Sequence, residues 1–108
     1  MKFGLSDRTI EAIRDILSHY PEVDQAILYG SRAKGNYKEG SDIDLTLVGS
    51  GVLTLPVLYR IATEVDDSSI PYMVDLSIFE QINDPDVREH IQRRGVVFFE
   101  KGGMKQRR

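Results

Sequence analysis

The sequence predicts one small α+β domain, a mixed β-sheet with helices packed on one side. Three observations carry this. The chain has 108 residues, 41% of them hydrophobic, which suits a single domain with a real core and excludes wholesale disorder. Residues 42–48 and 72–79 alternate apolar and polar side chains, as half-buried strands do. Two further segments repeat apolar residues at helical spacing, and a third carries helix-capping chemistry.

Taken in order, Ser6 is a helix cap for a segment running to about Tyr20. Ile10, Ile13, Ile16 and Leu17 form its apolar stripe, and Pro21 stops it. Residues 26–29 are a short apolar run closed by Gly30, read as a buried strand. Gly35, Asn36, Gly40 and Ser41 mark a turn. In the next strand Ile43, Leu45 and Leu47 face one way, and Asp42, Asp44 and Thr46 the other. Gly49, Ser50 and Gly51 break it. A helix over about 55–66 buries Leu58, Ile61, Ala62 and Val65. In the third strand Val74, Leu76 and Ile78 oppose Asp75, Ser77 and Phe79. Asp84 and Pro85 open a third helix that Gly95 ends. Val96 to Phe99 read as a final edge strand or a packed tail. The domain is expected over 1–100, with 101–108 as a flexible basic tail.

Composition bounds the function. The chain has no cysteine, which removes disulfides, thiol nucleophiles and zinc–thiolate sites. No apolar run approaches the roughly 18 residues of a membrane span, and no apolar block follows the first lysine. A cytoplasmic protein is expected. Formal charge is −3, but the last eight residues carry Lys101, Lys105, Arg107 and Arg108 and no acid. Residues 1–100 therefore hold 10 basic and 17 acidic groups, a net of −7. Such a body is a poor general nucleic-acid surface, because phosphates need cations.

Three features carry chemistry. Gly30-Ser31 ends the first strand, where a glycine lets the backbone approach a phosphate and a helix starting at Ser31 would offer free N–H groups. Asp42 and Asp44, two apart on a strand, share one face. At about 4 Å and an effective dielectric near 20, their repulsion is roughly 4 kcal/mol. Solvent would offset that, and so would a divalent cation. Asp75 sits mid-strand between apolar neighbours; if its strand is adjacent, it joins the pair. Three acids at one spot suit one or two Mg²⁺ ions and a triphosphate. An arginine partner at a strand end is the competing reading for Asp75.

Gly30-Ser31, ten residues, Asp42-x-Asp44 and a third strand aspartate, within GSRAKGNYKEGSDIDL, resemble the nucleotidyltransferase superfamily of DNA polymerase beta, and most of all its minimal nucleotidyltransferase branch. The resemblance covers essentially the whole chain up to the third aspartate. It implies a polymerase beta palm-like fold, with Gly30 and Ser31 on the nucleotide phosphates and Asp42, Asp44 and Asp75 as Mg²⁺ ligands. Asp75 would also help deprotonate the acceptor hydroxyl. It implies Arg32 as a phosphate contact, against an exposed surface arginine. Lys34 departs mildly from the arginine common there; it keeps the charge and loses the bidentate fork.

Small members of this branch pair with all-helical HEPN proteins as antitoxins. The resemblance therefore implies a Mg²⁺-dependent transfer of a nucleotidyl group, AMP from ATP or another nucleoside triphosphate, to a hydroxyl of a HEPN partner. A non-catalytic module that neutralises such a partner by contact is the alternative. A hetero-oligomer is expected, with a homodimer as the other assembly. Arg14 and His19 match the Arg-x4-His pattern of HEPN ribonucleases, but that family is all-helical and this chain has strands. His19 reads instead as a helix-end cap of carbonyls.

Overall fold

The alternation becomes a four-stranded sheet in a computed structural model that describes residues 2–49 and 53–102. The elements are α1 (Asp7–Ser18), β1 (Gln25–Tyr29), α2 (Ser31–Lys34), β2 (Ile43–Val48), α3 (Leu55–Asp67), β3 (Val74–Ile78), α4 (Pro85–Arg94) and β4 (Val96–Glu100), with a 3₁₀ turn at Phe79–Gln81. Strand order is β3-β2-β1-β4. β1 runs antiparallel to both β2 and β4, and β2 pairs in parallel with β3. The mixed sheet and the α+β class are as expected.

Local signals set the ends. The Ser6 hydroxyl accepts from the Thr9 amide at 3.2 Å, and Asp84 accepts from the Asp86 amide at 2.9 Å. α1 stops at Ser18, short of Tyr20, because Pro21 disfavours helical backbone in the residue before it. The His19 ring does not cap carbonyls. Its Nδ1 lies 3.1 Å from Glu64 of α3, and the Tyr20 hydroxyl donates to the same carboxylate at 2.9 Å.

One sheet face carries the core. Ala26, Leu28, Ile43, Leu45 and Leu47 are fully buried there against Ile10, Ile13 and Leu17 of α1 and Val57, Ile61 and Val65 of α3. At about 1.5–3 kcal/mol per buried aliphatic side chain, this layer supplies most of the folding drive. α4 departs from the expected one-sided packing. Its buried Ile91 lies outside that cluster. Gly95 at its end sits against Ile27, which alternates with Ala26 and Leu28 and so points to the opposite face.

Val96–Glu100 form an edge strand, with a register shift between Ala26 and Ile27 that leaves Phe98 unpaired. Arg14 of α1 donates its Nε–H to the Phe98 carbonyl at 2.8 Å and lies over the Phe98 ring. That contact ties α1 to the edge strand, where unpaired backbone groups invite other chains. Arg14→Ala is expected to lower stability by about 1.5 kcal/mol and to raise self-association, read by denaturant titration and light scattering. Lys101 donates its backbone N–H to the Asp24 carbonyl at 2.8 Å and its ammonium to the Pro21 carbonyl at 2.9 Å. Residues 103–108 of the basic tail lie outside the described residues, as do Ser50 and Gly51 of the strand break. Among the described residues no helix is long and apolar enough to cross a membrane.

Candidate active site

The face opposite the core holds the chemistry. Period-two alternation puts Tyr29, Asp44, Thr46, Asp75 and Ser77 on it. The register is decisive: Asp44 lies opposite Tyr29 on one side and opposite Asp75 on the other. The two strand aspartates are therefore direct neighbours, the arrangement that like charges disfavour without compensation. Asp42 stands one residue outside β2 and is exposed; Asp75 is exposed and Asp44 half-buried. Among the described residues no arginine or lysine pairs with any of the three.

Electrostatics agree with the geometry. Burial pushes the Asp44 carboxyl above the usual carboxylate range, and the charges of Asp75 and then Asp42 push it further. Both other acids thus act on Asp44. They do not form a closed cage: among the described residues no group of three or more His, Cys, Asp or Glu side chains is arranged to hold an ion by itself. The site is an open one, with two facing carboxylates and a third at the rim.

Gly30 makes the corner. Its φ of 79° and ψ of −155° lie in a region that is essentially glycine's alone. A Cβ placed there would come within 2.5 Å of Asp44 Oδ2, so the carboxylate sits directly against the glycine backbone. α2 begins at Ser31, as expected. Gly30 and Ser31 carbonyls take the amides of Lys34 and Gly35 at 3.1 and 2.9 Å. The amides of Ser31, Arg32 and Ala33 have no acceptor within the helix.

Arg32 is neither a phosphate contact at the mouth nor a surface residue. It is 3% exposed. Its Nε and Nη2 donate to the Ser41 carbonyl at 3.1 and 2.8 Å, and its Nη1 to the Phe3 carbonyl at 2.8 Å. The guanidinium also lies over the rings of Tyr37 and Tyr72. Sequence reasoning assumed that a charge near a phosphate corner points outward. Nothing in the local pattern shows that backbone carbonyls can absorb it inside.

The sequence marks Tyr29 only as a core or rim residue; its alternation with Leu28 puts it on the aspartate face. It is half-buried, and its phenol interacts with Ser77, whose hydroxyl donates to Thr46 at 2.9 Å. Burial pushes the phenol up, the Ser77 hydrogen bond opposes that, and the charges of Asp44 and Asp75 add to the rise. A polar floor thus crosses three strands beside the carboxylates.

Comparison with known proteins agrees with this fold. The family model described as Polymerase beta, Nucleotidyltransferase matches residues 11–102. A Haemophilus influenzae protein named Probable protein adenylyltransferase MntA is 34% identical over 73 residues, 68% of this chain. The match spans 63% of that relative's length. A toxin–antitoxin crystal structure with AMP-PNP aligns over 94% of this chain and 79% of its own, with TM-score 0.68 and 18% identity. A structure of a tri-AMPylated Shewanella oneidensis HEPN toxin in complex with MNT antitoxin aligns over 94% of this chain and 78% of its own, with TM-score 0.65 and 14% identity. At such identities the structural likeness speaks for the fold.

Proposed function

The chain belongs to the polymerase beta nucleotidyltransferase family, and on that premise we propose that it transfers a nucleotidyl group, AMP from ATP, to a hydroxyl of a HEPN-type partner protein, as the antitoxin of a toxin–antitoxin pair in the cytoplasm. The observation that carries the reading is the register of Asp44 opposite Asp75 beside the Gly30 corner. Similarity to the MntA relative, and the AMP carried by the HEPN toxin of the Shewanella complex, support the choice of donor and acceptor.

The donor set fits a divalent cation. Asp44 and Asp75 offer oxygen ligands that no lysine or arginine pairs with among the described residues, and Asp42 stands at the rim. Mg²⁺ retains several waters and takes one or two carboxylates plus substrate phosphates, so an open pair suits it better than a cage. When bound, the ion neutralises charge on the triphosphate and the leaving pyrophosphate.

The chain's own residues do the rest. The Ser31 hydroxyl and the amides at the Gly30 corner hold the terminal phosphates. Asp42 and Asp44 would hold the ion beside the triphosphate. Asp75, exposed on the adjacent strand, receives the proton of the acceptor hydroxyl as its oxygen attacks. The new bond joins that oxygen to the α-phosphorus, the bond to the bridging oxygen breaks, and pyrophosphate leaves. Positioning and charge neutralisation supply most of the rate.

The test is incubation of the protein, Mg²⁺ and labelled ATP with the helical partner. Label on a partner hydroxyl, located by mass spectrometry, is the expected result; an unlabelled partner would count against the reading. The net charge of −7 over residues 1–100 favours a second reading, in which an acidic body neutralises a basic RNA-binding partner by contact. Full neutralisation by an Asp42→Asn, Asp44→Asn chain at equal expression would select it.

A further inference from the structure

We propose that Arg32 is a positioning residue that fixes Asp42, with the N-terminal turn at Lys2–Leu5 as its far anchor. The proposal rests on Asp42 being a cation ligand. A guanidinium 3% exposed with no acidic partner among the described residues is an expensive group to bury. Three of its N–H groups are committed to two carbonyls, and two of those three converge on Ser41, the residue before Asp42. Lys34 to Gly40 are exposed throughout, so the segment leading to Asp42 has few other restraints. Ser41 is the exception. Its carbonyl is forked by Arg32, its amide donates to the Lys38 carbonyl at 3.0 Å, and its hydroxyl accepts from the Lys38 amide at 2.9 Å.

The other end of the clamp is also specialised. Phe3 adopts φ 58°, costly for a bulky residue, and presents its carbonyl to Arg32. The Leu5 amide closes this turn on the Lys2 carbonyl at 2.8 Å. Gly4 makes room for the Tyr37 ring, which a Cβ would strike. Tyr37 and Tyr72 flank the guanidinium with centroids 5.2 and 4.8 Å away, and Tyr72 lies three residues before Asp75. Residues 2–5, the phosphate corner and the entry to β2 are thus tied at one guanidinium. A lysine keeps the charge but cannot fork two carbonyls in one plane.

Mn²⁺ binding to the whole chain, read by electron paramagnetic resonance of the free ion, tests this without any transfer reaction. Arg32→Lys is expected to weaken Mn²⁺ binding about 5-fold, and Tyr37→Leu about 2-fold, while the folded fraction by circular dichroism stays above nine-tenths at the assay temperature. Tyr37 is partly exposed, so that variant decides the matter if Arg32→Lys fails to fold. Asp42→Asn is the control. Binding that Asp42→Asn abolishes and neither clamp variant changes would overturn the proposal alone. A wild-type chain that binds no Mn²⁺, or binding indifferent to Asp42→Asn, would remove the ligand reading of Asp42 and the proposal with it.

Discussion

Asp44→Asn is expected to abolish transfer, by about a thousand-fold or more, while leaving the protein slightly more stable than the parent. Both halves come from one cause. Asp44 is crowded by burial, then by Asp75 and Asp42, and its carboxyl is held above the ordinary value. Its charged form therefore works against the folded state at neutral pH. That penalty fades as pH falls through the raised folded-state value, because the proton then binds the native protein more readily than the unfolded one. Asparagine removes the charge. Solvent screens a half-exposed group, so the gain is about 0.5 kcal/mol, or about 2–4 °C in Tm for a domain of this size. The gap between variant and parent is expected to be widest near neutrality and to close on acidification. Added Mg²⁺ should raise the Tm of the parent and not of the variant. Thermal unfolding at several pH values, with and without Mg²⁺, checks all of this. A variant less stable than the parent at pH 7 would mean that Asp44 is held by compensating contacts, against the geometry.

Gly30→Ala is expected to damage fold and site together. The φ/ψ pair of 79° and −155° costs a non-glycine residue about 1–3 kcal/mol. That corresponds to a Tm lower by about 4–20 °C. The added methyl also meets Asp44 Oδ2 at 2.5 Å. The carboxylate is the flexible partner and turns away, so the steric part of the damage falls on the site. Transfer should drop about 100-fold even at temperatures where the variant is fully folded. Gly35→Ala makes a useful contrast. It too has positive φ, but nothing lies within 4 Å of its added Cβ. It should share the strain and keep most of the activity.

Much of this was legible in the residues because local rules and tertiary packing agree. Ser6, Pro21, Asp84 and Gly95 punctuate helices by backbone chemistry that needs no distant partner. The alternation at Ile43, Leu45 and Leu47 assigns a buried face without knowing what covers it. The same alternation put Asp42 and Asp44 together, whereas bringing Asp75 to Asp44 required knowing which strands are neighbours. That pairing is a long-range fact; the family resemblance implied it and the register now displays it. Periodicity is also silent on which face a helix covers, and α4 went to the face of Ile27. Arg32 was misjudged for a different reason. Charge predicts exposure only while water is the best available solvent for it, and two carbonyls with two aromatic rings substitute for water there. The register shift at Phe98 was invisible because Val96 to Phe99 are apolar throughout, leaving no alternation to break.

The parallel pairing of β2 with β3 has a consequence for how the centre comes into being. Its two facing carboxylates belong to strands joined through a helical crossover, so neither hairpin formation nor any local turn can bring them together. A nascent chain halted before Asp75 carries the phosphate corner and Asp44, yet lacks the carboxylate that faces it. Competence therefore waits for β3, by which time β1, β2 and α3 have already been made.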